Sequence, residues 1–260
     1  MEVDYMKPDC RGMGLPISSC NFSTLKTNML EWIRKRRCHT VMTMSFPMLA
    51  PYQQDADYHD AIDHSEVVLP DGMAVVWMSR WCGDPIRERL SGPDFFELFS
   101  QTASMYQMRY CLLGSTPEVL KAMRLRLLNE YPGITVSASI SPPFGDWEEQ
   151  VDRELVTAVN NSHADILWVG ITAPRQEVWL HRQRNQLTVP VAVAIGAAFD
   201  FFAGTKKRAP NWMRRCGMEW LYRIMQEPLR MLPRYLRSLP TAVKILISCR
   251  RSFPGQKREP

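Results

Sequence analysis

The 260-residue sequence is short of the compact signatures that mark many enzymes. It contains no GxGxxG and no GxxxxGK[ST], which excludes the common dinucleotide and P-loop phosphate cradles. It contains no HExxH and no GxSxG, which sets aside zincin-type metallohydrolases and α/β-hydrolase nucleophiles. Seven cysteines (10, 20, 38, 82, 111, 216, 249) form no CxxC pair, so neither a zinc ribbon nor a thioredoxin-like centre is expected. Their odd number and wide spacing favour a reducing compartment over a disulfide framework. The five histidines (39, 59, 64, 163, 181) show no ligand cluster and are read as surface or packed side chains. Long hydrophobic runs are missing too. The longest, 189–199 and 239–248, fall short of the roughly 20 residues that span a bilayer. The opening MEVDYMKPDC has no apolar core of a signal peptide. A soluble or peripheral chain is expected.

What is present points to a globular protein. Apolar residues make up 45% and charged residues 23%, enough to build a sizeable core. The length suits one large domain, or one domain with an appendage. The net charge of +5 is unevenly spread: from Gly204 onward, 14 Lys/Arg stand against 3 Asp/Glu, whereas the preceding 203 residues hold 18 against 24, a net −6. An acidic body with a basic end implies an anionic partner for that end: nucleic acid, a membrane surface or a phosphorylated ligand.

Hydrophobic periodicity alternates between helix and strand along the chain. Helices are expected over 21–37, 47–64, 73–81, 93–105, 117–131, 147–160 and 174–186. Strands are expected over 39–44, 66–69, 109–113, 134–140, 165–169 and 191–195. This order predicts a Rossmann-like, mostly parallel α/β sheet with crossover helices. Three strands run into glycine before a helix, at Gly114, Gly170 and Gly196, where such sheets place anionic ligands. Glycine is also common at these turns for steric reasons alone.

Candidate chemistry is sparse. Asp55-Ala56-Asp57 matches a DxD metal–diphosphate pattern, but inside a predicted helix the two carboxylates point about 200° apart, as on a solvated face. Asp71, in "VVLPDGMAVVW", lies between a strand and a helix. There it serves either as an N-cap or as a catalytic carboxylate. The tail, projected as one helix, groups Arg223, Arg230, Arg234 and Arg237 opposite Leu221, Met225, Leu232, Leu236, Leu239 and Val243. That pattern suits an anionic membrane surface, or packing of the apolar face on the body. Pro228, Pro233 and Pro240 are expected to kink it.

Six stretches together resemble one family: "VLPDGMAVVW", "RERLSGPDFFE", "LLGSTPEV", "WVGITAPRQEVWL", "AIGAAFDFFAGTKKRAPNWMRR" and "GMEWLYRIMQEPLRMLPRYL". They resemble the WecG/TagA/CpsF glycosyltransferases, glycosyltransferase family 26, over about residues 40–235. The resemblance implies an inverting enzyme that needs neither cofactor nor DxD metal. It implies transfer from a UDP-sugar to a saccharide on polyprenyl diphosphate, at the cytoplasmic membrane face, in surface or exopolysaccharide synthesis. It assigns Asp71 as base and gives Thr43, Arg89 and Gln176 catalytic positions. It places Asp200 near the nucleotide, with Arg223, Arg230 and neighbouring Arg234 as tail arginines. Relatives carry T-x-N where this chain reads Thr43-Met44-Ser45, and Ser45 lacks the reach of an Asn amide toward the donor sugar. Gly114 and Gly170 are taken as substrate-binding turns.

On this reading residues 1–204 form the transferase body, and 205–260 form a basic appendage that docks on membrane and closes the site. Two rivals stand beside it: a non-catalytic relative, for which Ser45 argues, and a basic binding module. No nucleic-acid motif accompanies the tail, so nucleic acid is not expected as a partner. The residues leave the oligomeric state open, a homo-oligomer included.

Overall fold

The structure, a computed structural model, describes residues 12–19, 21–84, 86 and 88–252. Six parallel strands form one sheet: β1 (His39–Ser45), β2 (Val67–Asp71), β3 (Arg109–Gly114), β4 (Thr135–Ile140), β5 (Ile166–Gly170) and β6 (Val191–Ala194), in the order β2-β1-β6-β5-β3-β4. Strands β1, β2, β5 and β6 are buried along nearly their whole length because helices cover both faces of the sheet. Alternate residues feed two cores. Met42, Met44, Val68, Leu167 and Val169 enter one; Val41, Val67, Leu69, Trp168 and Val193 enter the other. Parallel pairing and burial on both faces make this the α/β sandwich that the alternating pattern predicts.

The helices are α1 (Phe22–Lys35), α2 (Leu49–Gln54), α3 (Ala56–Asp63), α4 (Met73–Trp81), α5 (Gly92–Met105), α6 (Pro117–Glu130), α7 (Glu149–Asn161), α8 (Arg175–Gln183), α9 (Ala198–Ala203), α10 (Asn211–Arg215), α11 (Glu219–Gln226) and α12 (Pro228–Ser252). Each predicted strand and helix of the body is found, with two corrections. The single helix expected over 47–64 is three pieces: a 3₁₀ turn at Phe46–Met48, then α2, then α3. Asp55 breaks it by turning extended (φ −111°, ψ 108°) and accepting a hydrogen bond from the Tyr58 N–H as the cap of α3. The strand before Asp71 is longer than expected and includes it, so Asp71 is not a helix cap; Gly72 holds that place.

The PDG triplet now has a local explanation. Pro70 cannot donate to a sheet ladder, and it lies on β2, an edge strand, where that costs least. Asp71 is the last strand residue, in register with Ser45 of β1. Gly72 turns the chain at φ 102°, a conformation glycine alone adopts readily.

Two further expectations are corrected. Cys82, just after α4, and Cys249 of α12 are disulfide-bonded across 167 residues, with Cα atoms 5.2 Å apart, a bridging distance. Linear spacing holds no information about such a pair; the docking of α12 beside α4 creates it. Cys10 and Cys20 lie outside the described residues, while Cys38, Cys111 and Cys216 are free. His64 and His181 also meet: Nδ1 of His64 is 2.9 Å from one Asp60 oxygen, and Nε2 of His181 is 2.9 Å from the other. Helices α3 and α8 pack together and close this exposed triad, in which each carboxylate oxygen already serves one imidazole.

The tail is not one helix. Glu227 ends α11 in a non-helical conformation (φ −134°, ψ 63°), and Pro228 opens α12 at a position where its missing N–H costs nothing. Met231, Ser238, Thr241, Ala242, Ile245 and Cys249 of α12 are buried on the body. The Ser238 hydroxyl donates to Pro47 O (3.0 Å) and accepts from Ala50 N (3.2 Å). Leu232, Leu236, Leu239, Val243 and Ile247 form a separate stripe that stays exposed. The apolar side expected from the helical projection therefore faces outward, and a different face does the packing.

Candidate functional site

One cavity opens beyond the carboxyl ends of β1, β2, β5 and β6, the edge where open α/β sheets hold their ligands. Ser45, Asp71, Gly170 and Gly196 come from the strand ends; Gln176 comes from the first turn of α8 and Asp200 from that of α9. Helices α11 and α12 wall the opposite side with Arg223, Arg230 and Arg234. Thr43 sits two residues before Ser45 on the same strand face, and its hydroxyl lies 3.4 Å from Ala194 O. Of the strand-end glycines, family-motif residues and tail arginines singled out from the sequence, eleven line this cavity, and Gly114 and Arg237 do not. At Gly114 an added Cβ would come within 2.5 Å of the Gly170 carbonyl, and at Gly170 within 2.4 Å of the Phe199 ring. These two glycines answer a packing need where β3, β5 and α9 converge.

The electrostatics of the cavity are graded. Protein around Asp71 strips it of water and raises its pKa; the charge of Arg223 opposes this, Glu219 adds to it, Arg89 opposes and Asp94 adds. The result is a carboxylate more basic than usual at the end of a strand. Arg223 stacks over the Phe201 ring at 5.3 Å. Arg234 donates to Ala173 O at 2.9 Å. Neither has a carboxylate partner among the described residues. Burial lowers the pKa of Arg234, and the charges of Arg230 and Arg223 lower it further. Three cations crowded at one wall repel one another, and an anionic ligand relieves that repulsion.

Arg89 lines the cavity, but its guanidinium is already engaged. Nη1 donates to Glu219 at 2.7 Å and Nη2 to Asp94 at 2.8 Å. Arg208 completes the network at 2.6 Å from Asp94 and 3.0 Å from Glu219. Burial acts against the charge of Arg208, and its bonds to Asp94 with the charge of Glu219 outweigh this and raise its pKa. Asp94 is on α5 and Glu219 on α11, so these partly buried pairs tie the tail to the body beside Asp71.

With this geometry in view, a profile described as the "Glycosyl transferase WecG/TagA/CpsF family" matches residues 10–255. The chain belongs to the WecG/TagA/CpsF glycosyltransferase family. Among curated relatives it is 34% identical over 178 residues to an "N-acetylglucosaminyldiphosphoundecaprenol N-acetyl-beta-D-mannosaminyltransferase" of Bacillus subtilis (strain 168), covering 68% of this chain and 67% of that one. It is 29% identical over 211 residues to a protein of the same name from Bacillus spizizenii, covering 79% of each. A third of that name, from Staphylococcus aureus (strain MW2), is 28% identical over 200 residues, covering 77% and 76%.

As a WecG/TagA/CpsF member the chain is a sugar-transferring enzyme by family, and its DxD stretch lies away from the cavity. Asp55 caps α3, and Asp57 pairs with Arg182 at 2.5 Å. Residues that sequence reasoning passed over also line this cavity: Lys206, Phe46, Trp220 and Tyr235. Phe46 stacks on Tyr235 with ring centroids 5.7 Å apart, and burial pushes the Tyr235 phenol up to about 12. Glu177 was passed over as well. It is wholly buried beside Gln176, whose Nε2 donates to it at 2.8 Å. Gln176 Oε1, Glu177 Oε2 and the Tyr58 hydroxyl are buried with no protein partner among the described residues. Each such group costs about 1–3 kcal/mol. In WVGITAPRQEVWL the family resemblance pointed only to the glutamine, and neither periodicity nor charge marks a buried glutamate.

Proposed function

We propose that the protein transfers a hexosyl or N-acetylhexosaminyl group from a UDP-sugar to a saccharide carried on polyprenyl diphosphate, with inversion. In this reading Asp71 takes the proton of the acceptor hydroxyl as its oxygen attacks the anomeric carbon. The bond from that carbon to the diphosphate oxygen breaks, and UDP leaves. Arg223 and Arg234, joined by Arg230 and Lys206, stabilise the negative charge that develops on the departing diphosphate. Arg89 acts beside them when Glu219 or Asp94 releases it. Thr43, Ser45 and Gln176 contact the sugar, and Asp200 lies toward the nucleotide. The observation that carries this reading is a carboxylate of raised basicity facing, in one cavity, two arginines that lack a carboxylate partner. The names of the relatives favour N-acetylmannosamine as the sugar and N-acetylglucosamine on diphosphoundecaprenol as the acceptor.

The same helices that supply the arginines expose an apolar stripe, with Leu229 92% accessible at its start. No helix among the described residues is long and apolar enough to cross a membrane. A peripheral attachment through this stripe, at the cytoplasmic membrane surface, would hold the cavity near a lipid-carried acceptor. The test is a screen of UDP-sugars against an N-acetylglucosaminyl lipid diphosphate, with UDP release and product mass measured, repeated in excess EDTA. Release with one UDP-sugar, undiminished by EDTA, is expected. No release with any UDP-sugar overturns the reading, and loss in EDTA restored by Mg²⁺ or Mn²⁺ overturns its metal independence.

A further inference from the structure

Glu177 is a charged residue with no solvent exposure, placed in the first turn of α8 beside a cavity-lining glutamine. Packing alone does not account for it, since an apolar side chain would fill the space without leaving Oε2 unpartnered. Its one side-chain bond fixes something at the cavity: the 2.8 Å contact commits the Gln176 amide nitrogen to Glu177 Oε1. A glutamine amide has one donor end and one acceptor end. With the donor end committed, the end of Gln176 left over is Oε1, which is buried at the cavity wall and has no protein partner among the described residues.

We propose that Glu177 is a positioning residue that holds the Gln176 amide so that its Oε1 faces ligand as an acceptor, making this subsite one for a hydrogen-bond donor, a sugar hydroxyl or an N-acetyl N–H, and not for a phosphate oxygen. This rests on the glycosyl-transfer reading for the nature of the ligand; the orientation of the amide stands independently of it. Two titratable groups act on Glu177 from other elements. Tyr58 of α3 has its ionisation suppressed first by burial and then by the charge of Glu177. Arg234 of α12 favours the carboxylate. Burial outweighs Arg234, and the hydrogen bond from Gln176, and lifts Glu177 to about 7, so the strength of the hold on Gln176 varies across neutral pH.

The experiment has a ligand-free arm and a ligand arm, both on the full chain. In the first, the side-chain amide resonances of Gln176, assigned with Gln176→Ala, are followed against pH by NMR without ligand. They should titrate with a midpoint near 7 and stop doing so in Glu177→Gln. Resonances that ignore both pH and that substitution overturn the positioning role. In the second arm, binding of UDP and of the UDP-sugar turned over by wild type are compared. Gln176→Ala should weaken the UDP-sugar about tenfold more than UDP, the scale of one lost hydrogen bond in a site. Equal weakening of both would place the subsite at the phosphates and sink the ligand assignment. Glu177→Leu should lower kcat/KM about as far as Gln176→Ala, the double variant should be no worse, and Glu177→Gln should recover part of the loss. Should wild type bind and turn over no UDP-sugar, the functional reading fails while the NMR arm still decides the role of Glu177.

Discussion

Opposing influences meet at Asp71: burial, Glu219 and Asp94 hold its proton, while Arg223 and Arg89 draw it off. A base must be ionised to work, so activity should fall as pH drops through its raised pKa, giving kcat/KM an acidic limb above the ordinary carboxylate range. Asp71→Asn should keep UDP binding and lose about 100-fold or more in turnover, the usual scale for an acid–base group. Turnover near wild type would remove Asp71 from the mechanism. Arg223→Ala deletes the strongest influence lowering that pKa, so beyond slowing transfer it should move the acidic limb to higher pH. A limb that stays put, or moves down, would show that another group sets it. Glu177 gives a third expectation, on stability. Its folded pKa of about 7 exceeds the unfolded 4.5, so its stabilising contribution is complete below the lower value and is lost as pH rises through the higher. Above neutrality the buried charge costs on the order of 3 kcal/mol. Glu177→Gln should therefore melt higher than wild type in alkaline buffer and show a flatter dependence of Tm on pH.

Among the elements, α12 shows what the sequence made legible and what it hid. The grouping of Arg223, Arg230, Arg234 and Arg237 away from the leucines was read from one unbroken helix; Arg223 lies on α11 and the others on α12, and all but Arg237 line the cavity. The buried face was not, because Ser238, Thr241 and Ala242 are small or polar and become core only where the Phe46–Met48 turn, α2 and α4 meet them. The body was legible wherever periodicity was strong, as in α4, whose expected and observed bounds agree. It failed at Asp55, where one cap divides a helical pattern. The cavity's motif residues were found through family likeness, whereas Asp94, Arg208 and Glu219 were missed because their partners lie up to 130 residues apart. The exposed stripe of α12 yields its own expectation. Leu232→Glu with Leu236→Glu should abolish flotation on anionic liposomes and transfer to membrane-embedded acceptor, while sparing transfer to a soluble short-chain acceptor. Flotation at wild-type strength would leave the stripe without a role in attachment.

The molecule as a whole joins an acidic body to a basic tail through contacts that also shape the site. Of the two cores flanking the sheet, one is built wholly from residues before Gly204, while the other borrows Ala242, Ile245 and Cys249 from α12. Truncation after Gly204 should therefore leave a body that folds around the first core but melts lower, having exposed part of the second. It also removes Arg208, Glu219, Arg223, Arg230 and Arg234, opening the cavity to water and stripping its free cations. If the tail both anchors the protein and closes the site over a diphosphate, the truncated body should lose flotation and should also lose transfer to a soluble acceptor. Each basic residue held near anionic lipid contributes about 1 kcal/mol, so flotation of the full chain should weaken as salt is raised. Circular dichroism melts, flotation across a salt series and UDP release with soluble acceptor separate the two roles. A truncated body that transfers sugar at the full-length rate would reduce the tail to an anchor, and the arginines of α11 and α12 would then need another explanation for facing the cavity.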